Sequence, residues 1–123
     1  MKYIMLTIML SICALSACSP DLQVVNTQSY CHMDEKGYLI VSVRNAGNAL
    51  ALDSKTCVTF ENYPPYMLDT PSIAEGGIVI LEHVYVPPQC WDPDCSFQIT
   101  VDCNNEVKES NEDNNHVVGT CIG

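Results

Sequence analysis

The chain has 123 residues, with 15 acidic residues against five Lys or Arg, eight Cys and a formal net charge of −10. That length suits one domain. The charge excludes nucleic-acid binding, which needs clustered Lys and Arg, and docking on anionic lipid through a basic patch. Eight cysteines in so short a chain point to an oxidising compartment unless they bind metal.

The chain opens with Met1-Lys2, one positive charge, followed by an almost unbroken apolar run over residues 3–15. The run falls short of the roughly 20 residues that span a bilayer but fits the apolar centre of a secretory signal. Leu15-Ser16-Ala17-Cys18 follows, with small residues at the two positions before the cysteine. This arrangement resembles the lipobox of bacterial lipoproteins. The resemblance implies that residues 1–17 are a signal peptide and that the Cys18 thiol is alkylated by a diacylglyceryl group. Cleavage then leaves Cys18 first, with residues 18–20 as a lipidated tether. Cys13 is a poorer match because the bulky Ile12 precedes it. Two or more acyl chains make membrane attachment stable, where one gives only marginal binding. Ser19, rather than Asp, follows the cysteine, which favours outer-membrane anchoring in a cell that has an outer membrane. Ordinary secretion, with Cys18 left as a thiol, is the alternative.

Past the signal the pattern is one of strands and turns. Residues 21–25 form a short first strand. Residues 38–44 alternate, with Leu39, Val41 and Val43 on one face and Tyr38, Ser42 and Arg44 on the other. Asn45-Ala46-Gly47-Asn48 punctuates the chain, since Asn and Gly tolerate positive φ. A third strand over residues 55–60 places Val58 and Phe60 together. Pro64-Pro65 and Pro71 flank Tyr66-Met67-Leu68, an edge strand or a loop, because proline cannot donate to a sheet ladder. Glu75-Gly76-Gly77 turns into the apolar run 78–86, which Glu82-His83 interrupts as a candidate bulge. Phe97, Ile99 and Val101 point inward from a strand over residues 96–102, and residues 116–121 make the last strand. No stretch after Cys18 has apolar residues at helical spacing with caps. About seven short strands separated by turns make residues 21–123 an all-β domain, an immunoglobulin-like Greek-key β-sandwich.

Between the last two strands runs Asp102-Cys103-Asn104-Asn105-Glu106-Val107-Lys108-Glu109-Ser110-Asn111-Glu112-Asp113-Asn114-Asn115. Its Asp102, Val107, Glu109, Glu112 and Asn114-Asn115 are similar to the D-x(4)-V-x-E-x-x-E-x-N-N pattern of the CARDB family, the cell adhesion related domain found in bacteria. Leu39 to Asn48 resembles that family's V-x-V-x-N-x-G-N strand and turn. Thr70-Pro71-Ser72-Ile73-Ala74-Glu75-Gly76-Gly77 resembles its L-x-P-G turn, with Glu75 in place of the proline. The resemblance spans residues 21–120. It implies a seven-stranded sandwich on prokaryotic surface proteins with non-catalytic adhesive or scaffolding roles. Read from its residues, the acidic segment is either structural or a calcium site. In the structural reading Val107 plugs the core while Glu and Asn side chains accept from and donate to the turn backbone, and Asn104-Asn105 and Asn114-Asn115 suit positive φ. A calcium site would draw on Asp102, Glu106, Glu109, Glu112 and Asp113, but the ordered loop of an EF-hand is missing. The structural reading is preferred and no cofactor is expected.

Six cysteines remain after the lipobox. They permit 15 connectivities, and spacing alone chooses none of them. The sandwich topology pairs Cys57 with Cys103, because the third strand starts where its antiparallel neighbour ends. It pairs Cys31 with Cys121 by the same reasoning at the other end, and leaves Cys90–Cys95 as a local bridge. Closing the Cys31–Cys121 loop is worth on the order of 4 kcal/mol by chain entropy. A zinc site from Cys90, Cys95 and His83 or His116 is the competitor, disfavoured in an exported chain. His32, His83 and His116 are scattered and no hydrolase or phosphate-binding motif occurs, so an enzyme is not expected. The expected function is a membrane-anchored lipoprotein of the cell envelope carrying an adhesion or protein-interaction sandwich. Trp91 with Asp92 and Asp94, and the segment 63–66, are the candidate contacts. Trp91 can equally serve to cover the Cys90–Cys95 bridge. The alternative is a calcium-stabilised structural spacer.

Overall fold

The computed structural model describes residues 18–25, 31–81, 84–105, 107 and 115–122. The signal segment, Glu82-His83 and most of the acidic segment, with Glu109, Glu112 and Asn114, lie outside the described residues.

Among the described residues nine strand segments run in chain order: β1 (Leu22–Val24), β2 (Tyr38–Leu39), β3 (Ser42–Asn45), β4 (Ser54–Phe60), β5 (Tyr66–Thr70), β6 (Ile78–Ile80), β7 (Val84–Tyr85), β8 (Cys95–Val101) and β9 (His116–Cys121). All pairs are antiparallel. One layer has the order β1-β3-β6, with β2-β7 as a separate two-stranded piece, and the other has the order β5-β4-β8-β9. The strands expected over residues 38–44 and 78–86 are thus each broken into two segments. Tyr38 faces Tyr85 and Leu39 faces Val84, whereas Ser42 faces Ile80, so the register shifts by one residue between the two pairs. Such a shift is the count of a β-bulge, although the Glu82-His83 step itself lies outside the described residues. Tyr66-Met67-Leu68 belongs to edge strand β5, with the proline pair just upstream of it.

Period-two alternation builds the core. Leu22, Val24, Leu39, Val41 and Val43 from one layer meet Val58, Phe60, Phe97, Ile99 and Val101 from the other, all buried in a single cluster. Phe97 faces Gly119 across β8 and β9, where a Cβ would fall 2.5 Å from the ring Cζ.

The two layers are joined twice at one end. Residues 46–53 carry the chain from β3 to β4, and residues 71–77 carry it from β5 to β6. These crossings lie side by side, with Ala51 and Ile73 exchanging both backbone hydrogen bonds and both buried. Leu22, Asn45 and Ile78 bring β1, β3 and β6 to this end, and Ser54, Thr70, Val101 and His116 bring the other layer. At the opposite end lie the short 3-10 turn Pro88–Cys90 and the Cys95–Cys121 strand pair.

Candidate functional site at the two ends of the sandwich

The end with the two crossings is organised by Asn45. Its side chain has 0% exposure and continues the inward parity of Leu39, Val41 and Val43. Its Oδ1 accepts from the backbone N–H of Asp21 and of Gly47, both at 3.1 Å. Its Nδ2 donates to the carbonyls of Ala49 at 2.7 Å and Ile73 at 3.0 Å. One amide therefore ties β1 and both crossings together, and all its hydrogen-bonding capacity is used. The Asn-x-Gly-Asn turn was expected to supply positive φ. In the structure Asn45, Gly47 and Asn48 all lack it, whereas Asn62, Asp102 and Asn105 have it. Gly47 is needed for close approach instead, since a Cβ there would fall 2.6 Å from the Asp21 nitrogen and closer still to the Ser19 carbonyl.

The approaching segment is the expected tether. The Ser19 N–H donates to Asn48 Oδ1 at 3.0 Å, and the Ser19 carbonyl accepts from the Asn48 N–H at 3.2 Å. Pro20 is buried. Residues 19 and 20 are therefore packed onto the sandwich rather than extended from it. Cys18 is disulfide-bonded in the full chain, with a partner outside the described residues. Thioether formation at Cys18 requires that bond to be open.

Three of the six acidic-motif residues are described, and they also lie at this end. Asp102 is buried at φ 48°, and its Oδ2 accepts from the Val107 N–H at 3.0 Å. Val107 is buried in the core cluster. Asn115 is buried, and its carbonyl accepts from the Val101 N–H at 2.8 Å. Asp102 thus uses a carboxylate oxygen to hold Val107 in place, a role expected instead of the Glu and Asn side chains of the segment. Of the asparagines expected at positive φ, Asn105 has it at 60° and Asn104 and Asn115 do not. Among the described residues no group of three His, Cys, Asp or Glu is placed to hold a metal ion.

The cysteines join as Cys31–Cys121, Cys57–Cys103 and Cys90–Cys95. Cys90 and Cys95 are therefore bonded to each other and cannot serve zinc as thiolates. Two of the bridges meet at the far end, where Cys95 and Cys121 are partners across β8 and β9. A cleft of about 280 Å³ opens there, lined by Glu61, Asn62, Tyr63, Gln89, Cys90, Asp92 and Asp94. Trp91 and Tyr63 are half-buried against the core, whereas Tyr66 is exposed with its ring edge-on to Phe60. Trp91 is accordingly part of the support for this end, and the polar side chains around the cleft are the more accessible contacts. His32 and His116 are exposed and sit at opposite ends.

Sequence reasoning missed the role of Asn45 and the docking of Ser19. The available signal was parity, because a polar side chain at an inward position of an aliphatic strand face must find partners.

A two-layer antiparallel sandwich with buried asparagine and aspartate ties at one end and two disulfides meeting at the other defines an all-β sandwich domain of the kind found in cell-surface, adhesion-related families. The chain belongs to the CARDB family, whose model matches residues 19–118. Solved structures agree on the fold. The CARDB domain of a Pyrococcus furiosus protein, crystallised in complex with di-metal ions, aligns with a TM-score of 0.58 at 20% identity, covering 85% of this chain and 88% of that one. A domain from Methanosarcina acetivorans, in a protein whose name assigns it to the cell surface, aligns with a TM-score of 0.64 at 16% identity, covering 85% and 91%. No curated protein matches the chain.

Proposed function

We propose that the protein is a lipid-anchored lipoprotein of the cell envelope, attached through Cys18 and presenting a non-catalytic adhesion or protein-interaction sandwich. The observation that carries this reading is the separation of its two ends. Ser19, next to Cys18, is fixed at one end by Asn48. The cleft between Tyr63 and Asp94, with its carboxylates, opens at the other. Three disulfides suit an exported protein, and outer-membrane anchoring accords with Ser19 after the cysteine. The partner is a protein or another surface component. The acidic lining of the cleft favours a basic contact.

The test is mass spectrometry of protein taken from envelopes, followed by capture on the immobilised domain. The expected mature chain begins at Cys18 with a diacylglyceryl mass. A defined envelope component should be retained on the domain and lost with Asp92→Asn and Asp94→Asn together. A mature chain without lipid, or retention indifferent to both substitutions, contradicts the reading.

The calcium-stabilised spacer remains a second reading, favoured by one observation, the metal complex of the Pyrococcus furiosus domain. Against it, Asp102 already spends an oxygen on Val107; the other candidate ligands, Glu106, Glu109, Glu112 and Asp113, lie outside the described residues. A melting temperature that falls on adding a chelator supports the spacer, and one that stays unchanged supports the interaction module.

A further inference from the structure

The anchored end carries an exposed apolar surface directly beside the anchor. Along the crossing from β3 to β4, Ala51 is buried and bridged to Ile73, so its neighbours on this end face away from the core into solvent. Those neighbours are Leu50, 54% exposed, and Leu52, 66% exposed. Two residues before Leu50 lies Asn48, which holds Ser19 through two hydrogen bonds. Gly47 admits the Ser19–Asp21 backbone so closely that no side chain fits between.

We propose that this end of the sandwich rests directly on the bilayer, with Leu50 and Leu52 seated in the headgroup–acyl boundary. The inference rests on the lipid-anchor reading above. Its physical basis is the length of free chain between fold and anchor. Because Ser19 is already hydrogen-bonded to the domain, only Cys18 itself separates the lipid from the folded body. The acyl chains therefore draw this surface to the membrane and keep it there, and two leucines that would be wasted on water acquire an apolar neighbour. Asp53 and Glu75 are exposed on the same two crossings, so the surface suits zwitterionic headgroups and is repelled by anionic ones. The far-end cleft is then held away from the membrane by the length of the strands.

The experiment uses the mature lipoprotein purified from envelopes and reconstituted into phosphatidylcholine vesicles, some brominated near the top of the acyl chain. Mass spectrometry first establishes the lipid on Cys18. In a Leu50→Trp, Trp91→Phe protein, emission in brominated vesicles should fall to half or less of its value in plain ones. In the unsubstituted protein, Trp91 emission should be equal in both. Amide hydrogen exchange of unsubstituted protein gives a second measurement that needs no substitution. Residues 48–52 and 72–77 should exchange more slowly on vesicles than in the lipid-free domain, with residues 88–94 unchanged. Protein that carries the lipid yet shows neither quenching nor protection overturns the inference and leaves the anchor intact. Quenching of Trp91 instead, or protection of residues 48–52 through self-association without vesicles, overturns it too. Absence of lipid on Cys18 overturns the anchor reading and this inference with it.

Discussion

The Asn45 side chain makes four hydrogen bonds while wholly buried, to backbone groups of three segments: Asp21 before β1, Gly47 and Ala49 on one crossing, and Ile73 on the other. Removing it strands those groups away from water, and a buried donor or acceptor without a partner costs about 1–3 kcal/mol. Asn45→Ala should therefore lower stability by about 3 kcal/mol or more in urea titration. Asn48→Ala, at an exposed site with one side-chain bond to Ser19, should cost about 1 kcal/mol or less. Gly47→Ala tests the close approach separately. The new methyl group must displace either the turn or residues 19–21, at about 1–3 kcal/mol. Faster exchange of the Ser19 and Asp21 amides, with β4 and β8 unaffected, is the expected signature.

At the scale of elements, β4 and β8 form the centre of one layer, and the disulfides secure what surrounds them. In the chain-entropy account a bridge is worth more the longer the loop it closes. Cys31–Cys121, with a sequence separation of 90, should contribute about 4 kcal/mol, and Cys90–Cys95, with a separation of 5, about 2 kcal/mol. Paired alanine substitutions, compared by urea midpoint, should reproduce that order; equal losses would contradict it. The strands themselves were legible, because Leu39, Val41 and Val43, or Phe97, Ile99 and Val101, occupy one face through simple alternation and burial follows. The interruption between β2 and β3 was legible only on the facing strand, where Glu82-His83 marks a candidate bulge; that the one-residue register shift also breaks 38–44 depends on pairing partners set by the whole fold. The Asn-x-Gly-Asn turn was legible as a turn but not as a clamp. Local chemistry permits positive φ there, yet the structure uses the Asn45 amide and the missing Gly47 side chain instead. Asp102 was legible as a motif position and as a candidate calcium ligand but not as the acceptor for Val107, because spacing places carboxylates in a turn without showing which backbone N–H each one faces.

At the scale of the molecule, the fold is shared with archaeal domains at 16–21% identity, so many different sequences build it. The disulfide from Cys31 to Cys121 also makes the intervening polypeptide a closed ring. Tension applied between Cys121 and Cys18 must cross the sulfur atoms and descend through residues 18–31, leaving the ninety-residue ring slack. Under a steady pull the two points can separate no further than the extended span of those residues, roughly 45 Å. An unbridged chain of the same size would unravel by about 300 Å more. Single-molecule stretching between these two points should show the short extension, and the long one after reduction. Such a tie lets a surface protein withstand shear without losing its shape.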